Sequence, residues 1–141
     1  MIVLGSDSAG TELKNHLIDF LKENGYEYRD CGESKDYPDI AEEVCGKIVA
    51  GEADKGVLIC GTGIGISMAA NKVKGIRAAC CGDYFSAKYT RLHNDANVIC
   101  MGGRVIGQGL AKELLNIFLN TEFEGGRHAA RVDKIMKLED K

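Results

Sequence analysis

The sequence has no tryptophan, a single proline (Pro38) and few aromatic residues, with 5 Tyr and 4 Phe in 141 residues. A proline-rich linker is thereby excluded, and no tract of biased composition divides the chain, so one domain spanning 1–141 is expected. Neither sign of charge dominates: 18 Lys+Arg against 21 Asp+Glu leave a net charge of -3. That balance supplies no field for gripping nucleic acid or an anionic membrane, so any bound anion must be held by a local site. No run approaches the roughly 20 apolar residues of a membrane span. Met1 leads directly into Ile2-Val3-Leu4, without the basic stretch of a signal peptide. A cytoplasmic protein is expected, with neither nucleic acid nor membrane as partner. No Cys-x-x-Cys pair occurs either, and the six cysteines at 31, 45, 60, 80, 81 and 100 lack the spacing of a zinc site. They read as reduced thiols.

What the chain does have is glycine, 18 of them, punctuating short apolar runs. Ile2–Leu4 reads as a strand, followed by the small-residue turn 5–10 and a helix that Thr11 would cap and Asn24-Gly25 would end. Tyr26–Cys31 reads as a second strand. A polar loop over 32–37 then precedes Pro38, which opens a helix carrying Ile40, Val44 and Ile48. Val57–Cys60 is a strand with no polar alternation, which implies burial on both faces, as in a parallel sheet covered by helices. A glycine loop, Gly61-Thr62-Gly63-Ile64-Gly65, leads from it into a helix over 66–72. Further strands are read at 76–81 and 98–101, with helices at 84–91 and 110–119, then a tail whose short helical segment carries Arg127, His128 and Arg131. Five strand–helix alternations specify an α/β chain: a Rossmann-like three-layer fold with a five-stranded parallel sheet and a C-terminal helical tail.

Ligands of open parallel sheets bind beyond the carboxyl ends of the strands. The residues there are Ser6, Asp7 and Ser8, then Cys60 with its glycine loop, then Gly102, Gly103 and Arg104. The loop Gly61–Gly65 would direct backbone N–H groups at one spot beside a helix N-terminus, suiting a phosphate or an enediolate. A Walker A motif is absent, and the spacing G-x-G-x-G departs from the dinucleotide fingerprint G-x-G-x-x-G, although Asp83 stands where a ribose partner would. Cys60 abuts the loop, whose N–H groups favour a thiolate that can act as base or nucleophile, whereas the other five cysteines read as packing. His93 and Asn94, in a polar stretch after the fourth helix, are candidates for proton transfer and hydroxyl binding, with surface capping as the plainer reading; His16 has the weaker case. Arg127 and Arg131 are four apart and would share a helix face suited to phosphate, or pair with Glu122, Glu124 or Asp133; Arg104 could join them.

The ordered set Gly5-Ser6-Asp7-x-Ala9-Gly10, Asp36-Tyr37-Pro38-Asp39, Cys60–Gly65, Ala69–Val73, Gly75–Ala79, His93–Val98, Gly103–Gly107 and Glu124–His128 resembles the type B ribose-5-phosphate isomerases of the ribose/galactose phosphate isomerase family. The resemblance runs from residue 2 to about residue 135. It implies an aldose–ketose isomerase that interconverts ribose 5-phosphate and ribulose 5-phosphate in the pentose phosphate pathway, with no metal and no organic cofactor. Cys60 would move the proton between C1 and C2 through a cis-enediolate held by Gly61, Gly63, Ile64 and Gly65, with Thr62 assisting. His93, with Asp7 and Tyr37, would open the furanose ring; Asn94 would hold sugar hydroxyls; Arg104, Arg127 and Arg131 would bind phosphate. The resemblance also implies a homodimer, or a dimer of dimers, whose sites are shared, His93 and Asn94 serving the partner. One position departs: the family's Ser-Asp-His-Ala-Gly is here Ser6-Asp7-Ser8-Ala9-Gly10. Ser8 leaves room for a longer sugar phosphate such as allose 6-phosphate or galactose 6-phosphate. Two further readings remain open from the sequence, a non-catalytic sugar-phosphate binding module and one subunit of a hetero-oligomeric hexose-phosphate isomerase.

Overall fold

The computed structural model describes residues 1–141. Strands and helices alternate as β1 (Ile2–Ser6), α1 (Thr11–Glu23), β2 (Tyr28–Glu33), α2 (Tyr37–Val49), β3 (Lys55–Cys60), α3 (Ile64–Ala70), β4 (Ala78–Cys80), α4 (Tyr84–Asn94), β5 (Val98–Gly102) and α5 (Gln108–Leu119), closed by α6 (Arg127–Lys137). The strands form one all-parallel sheet in the order β2-β1-β3-β5-β4. β3 lies between β1 and β5, and its side chains alternate between two apolar layers. Val57 and Ile59 pack with Leu13 and Leu17 of α1 and with Leu114 and Phe118 of α5. Leu58 and Cys60 pack with Ile40 and Val44 of α2 and with Ile66 of α3. Burial on both faces is why this strand is a continuous apolar run. Each large aliphatic side chain removed from water contributes about 1.5–3 kcal/mol.

Several boundaries differ from the sequence reading, each for a local reason. Thr11 does not cap α1. A 3-10 turn over Ser8–Gly10 precedes the helix, and Asp7 caps that turn by accepting the Gly10 N–H at 3.1 Å. The second strand starts at Tyr28, not Tyr26, because the Tyr26 N–H closes the end of α1 on the Leu21 carbonyl at 2.9 Å. Helix α3 begins inside the glycine loop at Ile64, its first turn closed by Ser67 N–H to the Gly63 carbonyl. β4 has only three residues, since the Arg77 N–H is taken by the Asn97 side chain at 2.8 Å. Its outer edge is occupied: the Asn71 amide accepts from the Ala78 N–H at 2.8 Å and donates to the Ala78 carbonyl at 2.9 Å. The tail helix is longer than expected, with 11 residues followed by a 3-10 turn.

Candidate functional site

Because β2 and β3 flank β1 on opposite sides, a crevice opens between the carboxyl ends of β1 and β3. Asp7 and Ser8 leave β1 there, Cys60 ends β3, and Arg104 follows β5, its N–H donating to the Gly61 carbonyl at 3.0 Å. The Arg104 guanidinium lies over Gly61, where a Cβ would meet Nη1 at 3.5 Å. Tyr37, the first residue of α2, lays its ring on Gly65, where a Cβ would come within 2.8 Å of Cζ. The loops themselves touch backbone to backbone. A Cβ on Gly10 would stand 2.5 Å from the Ile59 carbonyl oxygen, and one on Gly103 2.6 Å from that of Ala9. Gly63 has φ of 81°, in the left-handed region, and a Cβ there would be 2.7 Å from the Met101 carbonyl carbon.

Within this crevice Cys60 is 4% exposed, and its Sγ accepts the Gly63 N–H at 3.2 Å. Thr62 is exposed, with its Oγ1 accepting the Ile64 N–H at 3.1 Å. The amides of Gly65 and Ile66 precede the first hydrogen bond of α3 and so are not consumed by the helix. A thiol and a set of N–H donors are thus gathered at one spot, an arrangement able to move a proton next to a developing oxyanion. The other thiols differ. Burial pushes Cys45 and Cys81 up to about 12 and Cys100 well above the usual thiol range. Cys31 is half-buried, raised by desolvation and then by Glu43. Cys80, read from sequence as packing, is exposed, because it ends the short edge strand β4. Its Sγ lies 3.8 Å from the Thr62 carbonyl, and desolvation followed by the nearby Cys60 raises its pKa.

Ser8 is exposed and donates to Glu33 Oε2 at 3.3 Å, while Glu33 Oε1 lies against the Thr11 hydroxyl. Nothing in the residue pattern singled out Glu33; it reaches the crevice because β2 pairs with β1 so that Glu33 stands opposite Ser6. Asp83, weighed as a ribose partner, caps α4 instead, its carboxylate accepting the Ser86 N–H at 2.7 Å. That contact and Ser86 Oγ hold the Asp83 carboxyl below its ordinary range. His16, half-buried on α1, borders a separate hollow of about 220 Å³ with Glu12, Gly103 and Gln108.

A second group of expected residues collects at the opposite end of the sheet. His93 and Asn94 form the last turn of α4 rather than a loop beyond it. α4 runs antiparallel to the strands, and the chain after it meets the amino end of β3, where the Gly56 N–H donates to the Asn97 carbonyl at 2.9 Å. At about 3.3 Å per residue, the six residues of β3 hold that end about 17 Å from Cys60. Arg127 and Arg131 share the exposed face of α6 and form no ion pair with Glu122, Glu124 or Asp133. The three arginines grouped from sequence are therefore divided, Arg104 beside Cys60 and the other two beside His93. The His93 ring forms a T-shaped pair with Tyr89 at 5.0 Å and stacks on His128 at 4.0 Å with 11° between planes. Its Nε2 stands 3.7 Å from Glu124. Burial, then the neighbouring His93, lowers the pKa of His128. The ligand atoms of His93, Glu124 and His128 lie within 4.8 Å of one another. Stacked imidazoles, however, direct their ring lone pairs along parallel planes, so they do not converge on one ion 2.0–2.1 Å from each nitrogen, roughly the distance zinc requires. The largest cavity, about 620 Å³, borders this second group between β4, α4 and α6 and is lined by Arg77, Ala78, Asn94 and Leu138.

Comparison with known proteins adds family information to this geometry. The sequence matches the Ribose/Galactose Isomerase family over residues 2–135. It is 48% identical to the D-erythrulose-4-phosphate isomerase of Pectobacterium atrosepticum, with 95% of this chain and 91% of that protein covered. Identity to the ribose-5-phosphate isomerase B of Escherichia coli is 45%, covering 99% of this chain and 97% of that one. The structure of ribose-5-phosphate isomerase B from Clostridium thermocellum superposes with a TM-score of 0.96 at 50% identity, covering 99% and 97% of the two chains.

Proposed function

The chain belongs to the ribose/galactose isomerase family, and from that premise we propose that this aldose–ketose sugar-phosphate isomerase interconverts ribose 5-phosphate and ribulose 5-phosphate with Cys60 as its base. The observation that carries the assignment of Cys60 is the Gly63 N–H on its Sγ, at the carboxyl end of β3 beneath the glycine loop. In this reading the thiolate takes the C2 proton of the open-chain aldose and returns it to C1. The unconsumed N–H groups of Gly61 and Gly65, with the Thr62 hydroxyl, stabilise the cis-enediolate between the two transfers, while the Gly63 N–H stays on the sulfur and the Ile64 N–H holds the Thr62 side chain. Asp7 and Tyr37, both at the crevice, assist the opening of the furanose ring, and Arg104 holds an anionic end of the substrate.

The remaining residues support a homodimer with shared sites. His93, Asn94, Arg127 and Arg131 lie at the far end of their own sheet and cannot reach their own Cys60, so ring opening by His93, hydroxyl binding by Asn94 and phosphate binding by the two arginines require a second copy. An apolar surface beside the crevice suits that copy: Ile64, Met68, Tyr84 and Phe85 are 51%, 64%, 49% and 67% exposed. The sequence reading assigned His93 and Asn94 to the partner; the placement of Arg127 and Arg131 beside them extends that role to both arginines. Ser8 in place of the family's His, and the 48% identity to a D-erythrulose-4-phosphate isomerase, support a second reading, in which a six- or a four-carbon phosphate is the better substrate.

The test is Cys60→Ala. Exchange of the C2 proton in deuterated water is expected to fall on the order of 10²–10⁴-fold while sugar-phosphate binding persists. An active variant would remove Cys60 from the mechanism. kcat/KM for ribose 5-phosphate, erythrulose 4-phosphate, allose 6-phosphate and galactose 6-phosphate, measured before and after Ser8→His, decides the substrate.

A further inference from the structure

We infer that His128 is a positioning residue for His93, holding that imidazole face to face so that it is presented in one orientation to the substrate. The inference rests on the reading of His93 as the group that opens the sugar ring. Three observations carry it. The stack is close and nearly parallel, 4.0 Å between centroids and 11° between planes. A second ring, Tyr89, one helical turn earlier on α4, meets His93 at 5.0 Å with 72° between planes. His93 is thus in contact with two rings, and rocking about its side-chain torsions breaks the stack on His128. Finally, His128 is buried at 6% exposure, and its Nε2 has no hydrogen-bond partner. A buried imidazole nitrogen left unpaired costs free energy, so the polar atom is not what holds His128 in place; the face of the ring is what the structure uses.

The local chain is built to deliver that face. The Glu124 N–H ties the tail to α4 through the Leu92 carbonyl at 3.0 Å. Gly125 and Gly126 then turn with φ of 71° and 58°, values that a side chain resists, and α6 starts at once with His128 in its first turn. The charged and titratable groups around His128 are His93 on α4, Glu124 on the strap, and Arg127 and Arg131 on α6 itself. The two arginines add to the cost of a cationic His128, and Glu124 acts against them.

His128→Ala removes the stack, and His128→Phe keeps an aromatic face while discarding both nitrogens. With ribose 5-phosphate, His128→Ala is expected to lower kcat tenfold to a hundredfold, the order of loss from a misplaced catalytic group, with KM changed less; His128→Phe should recover to within about threefold of the parent. Three results would overturn the inference: unchanged kcat in the alanine variant, a phenylalanine variant no better than alanine, or a loss confined to KM, which would assign His128 to the phosphate arginines. Relaxation of the labelled His93 ring in the unmodified protein needs no variant to fold. A ring order parameter above about 0.6 supports the positioning role, and one below it, in the flexible range, refutes it. His93→Gln separates the two levels: if it leaves ribose 5-phosphate turnover intact, the ring-opening reading fails, whereas a dead His93→Gln beside a fully active His128→Ala sinks only the positioning role.

Discussion

Replacing Gly63 with alanine tests whether the glycine loop is fixed by its own backbone angles or by what it packs against. Gly63 has φ of 81°, and a Cβ there would stand 2.7 Å from the Met101 carbonyl carbon and 3.0 Å from the Gly102 nitrogen, both backbone atoms of β5. Gly75 provides the comparison. Its φ is 93°, but the nearest atom to an added Cβ is a Val49 methyl at 3.5 Å, ordinary contact. Both substitutions carry the left-handed penalty of about 1–2 kcal/mol. Only Gly63→Ala adds overpacking, about 1–3 kcal/mol more when the neighbour cannot yield. The expected totals are therefore about 1–2 kcal/mol for Gly75→Ala and about 2–5 kcal/mol for Gly63→Ala. With an unfolding entropy near 0.3 kcal/mol/K for 141 residues, Tm should drop by about 3–7 °C and about 7–17 °C respectively. Urea denaturation of the two variants measures the difference directly. Gly63→Ala should also lose isomerase activity by about 10²-fold, the order of loss from displacing a catalytic group, with Gly75→Ala close to the parent. Equal destabilisation by the two variants would refute the packing argument, and a destabilised but fully active Gly63→Ala would detach the loop from the chemistry.

Three further outcomes are expected. Asp30→Ala leaves the Lys14 ammonium, 3% exposed, without its 2.7 Å partner and strips the acceptor from the Gly32 N–H. Because the carboxylate is 37% exposed, the loss should be about 1–3 kcal/mol, below that of a fully buried pair, and larger than for Lys14→Met in the same denaturation assay. Cys45 and Cys81, both pushed up to about 12, and Cys100, higher still, should resist Ellman's reagent at pH 8 until the protein is unfolded in urea; labelling of any of the three at a free-thiol rate contradicts their burial. His128 has a native pKa below the ordinary histidine value of about 6.5. As pH falls through 6.5 the unfolded chain binds a proton that the native state refuses, so this group lowers stability progressively down to its native pKa and contributes nothing above. His128→Phe should flatten that limb of the stability curve, and an unchanged limb would assign it to other groups.

The alternation of strands and helices was legible because Val57–Cys60, Ile99 and Leu114 to Phe118 carry the burial pattern of a covered parallel sheet in their residue types. The boundaries were less so. Whether Tyr26 starts a strand depends on the Leu21 carbonyl claiming its N–H, and Arg77 is lost to β4 because Asn97 intercepts it from 20 residues away. The residues of the crevice could be named because they follow strand ends in sequence. Their division could not, since Arg104 and Arg131 look alike as letters and are separated only when α4 is seen to run back along β3. Glu33 escaped notice for the same reason, being placed by strand register, and His128, named with the tail helix, could not be set against His93, because its position depends on a helix start after two turned glycines.

The loops around Cys60 meet through main-chain atoms: Gly10 on Ile59, Gly103 on Ala9 and Gly63 on Met101. A scaffold of that kind leaves little room for gradual adjustment, because at those three positions even one added carbon displaces a neighbouring strand or loop. Diversification of the sugar accepted must then proceed through side chains at the crevice that are neither packed on a glycine nor used in the chemistry. Ser8, with Glu33 behind it, is such a pair. A lineage changing its substrate would be expected to rewrite those letters and leave the glycines alone, so new specificities should be sought by randomising positions 8 and 33 together rather than by searching the whole chain.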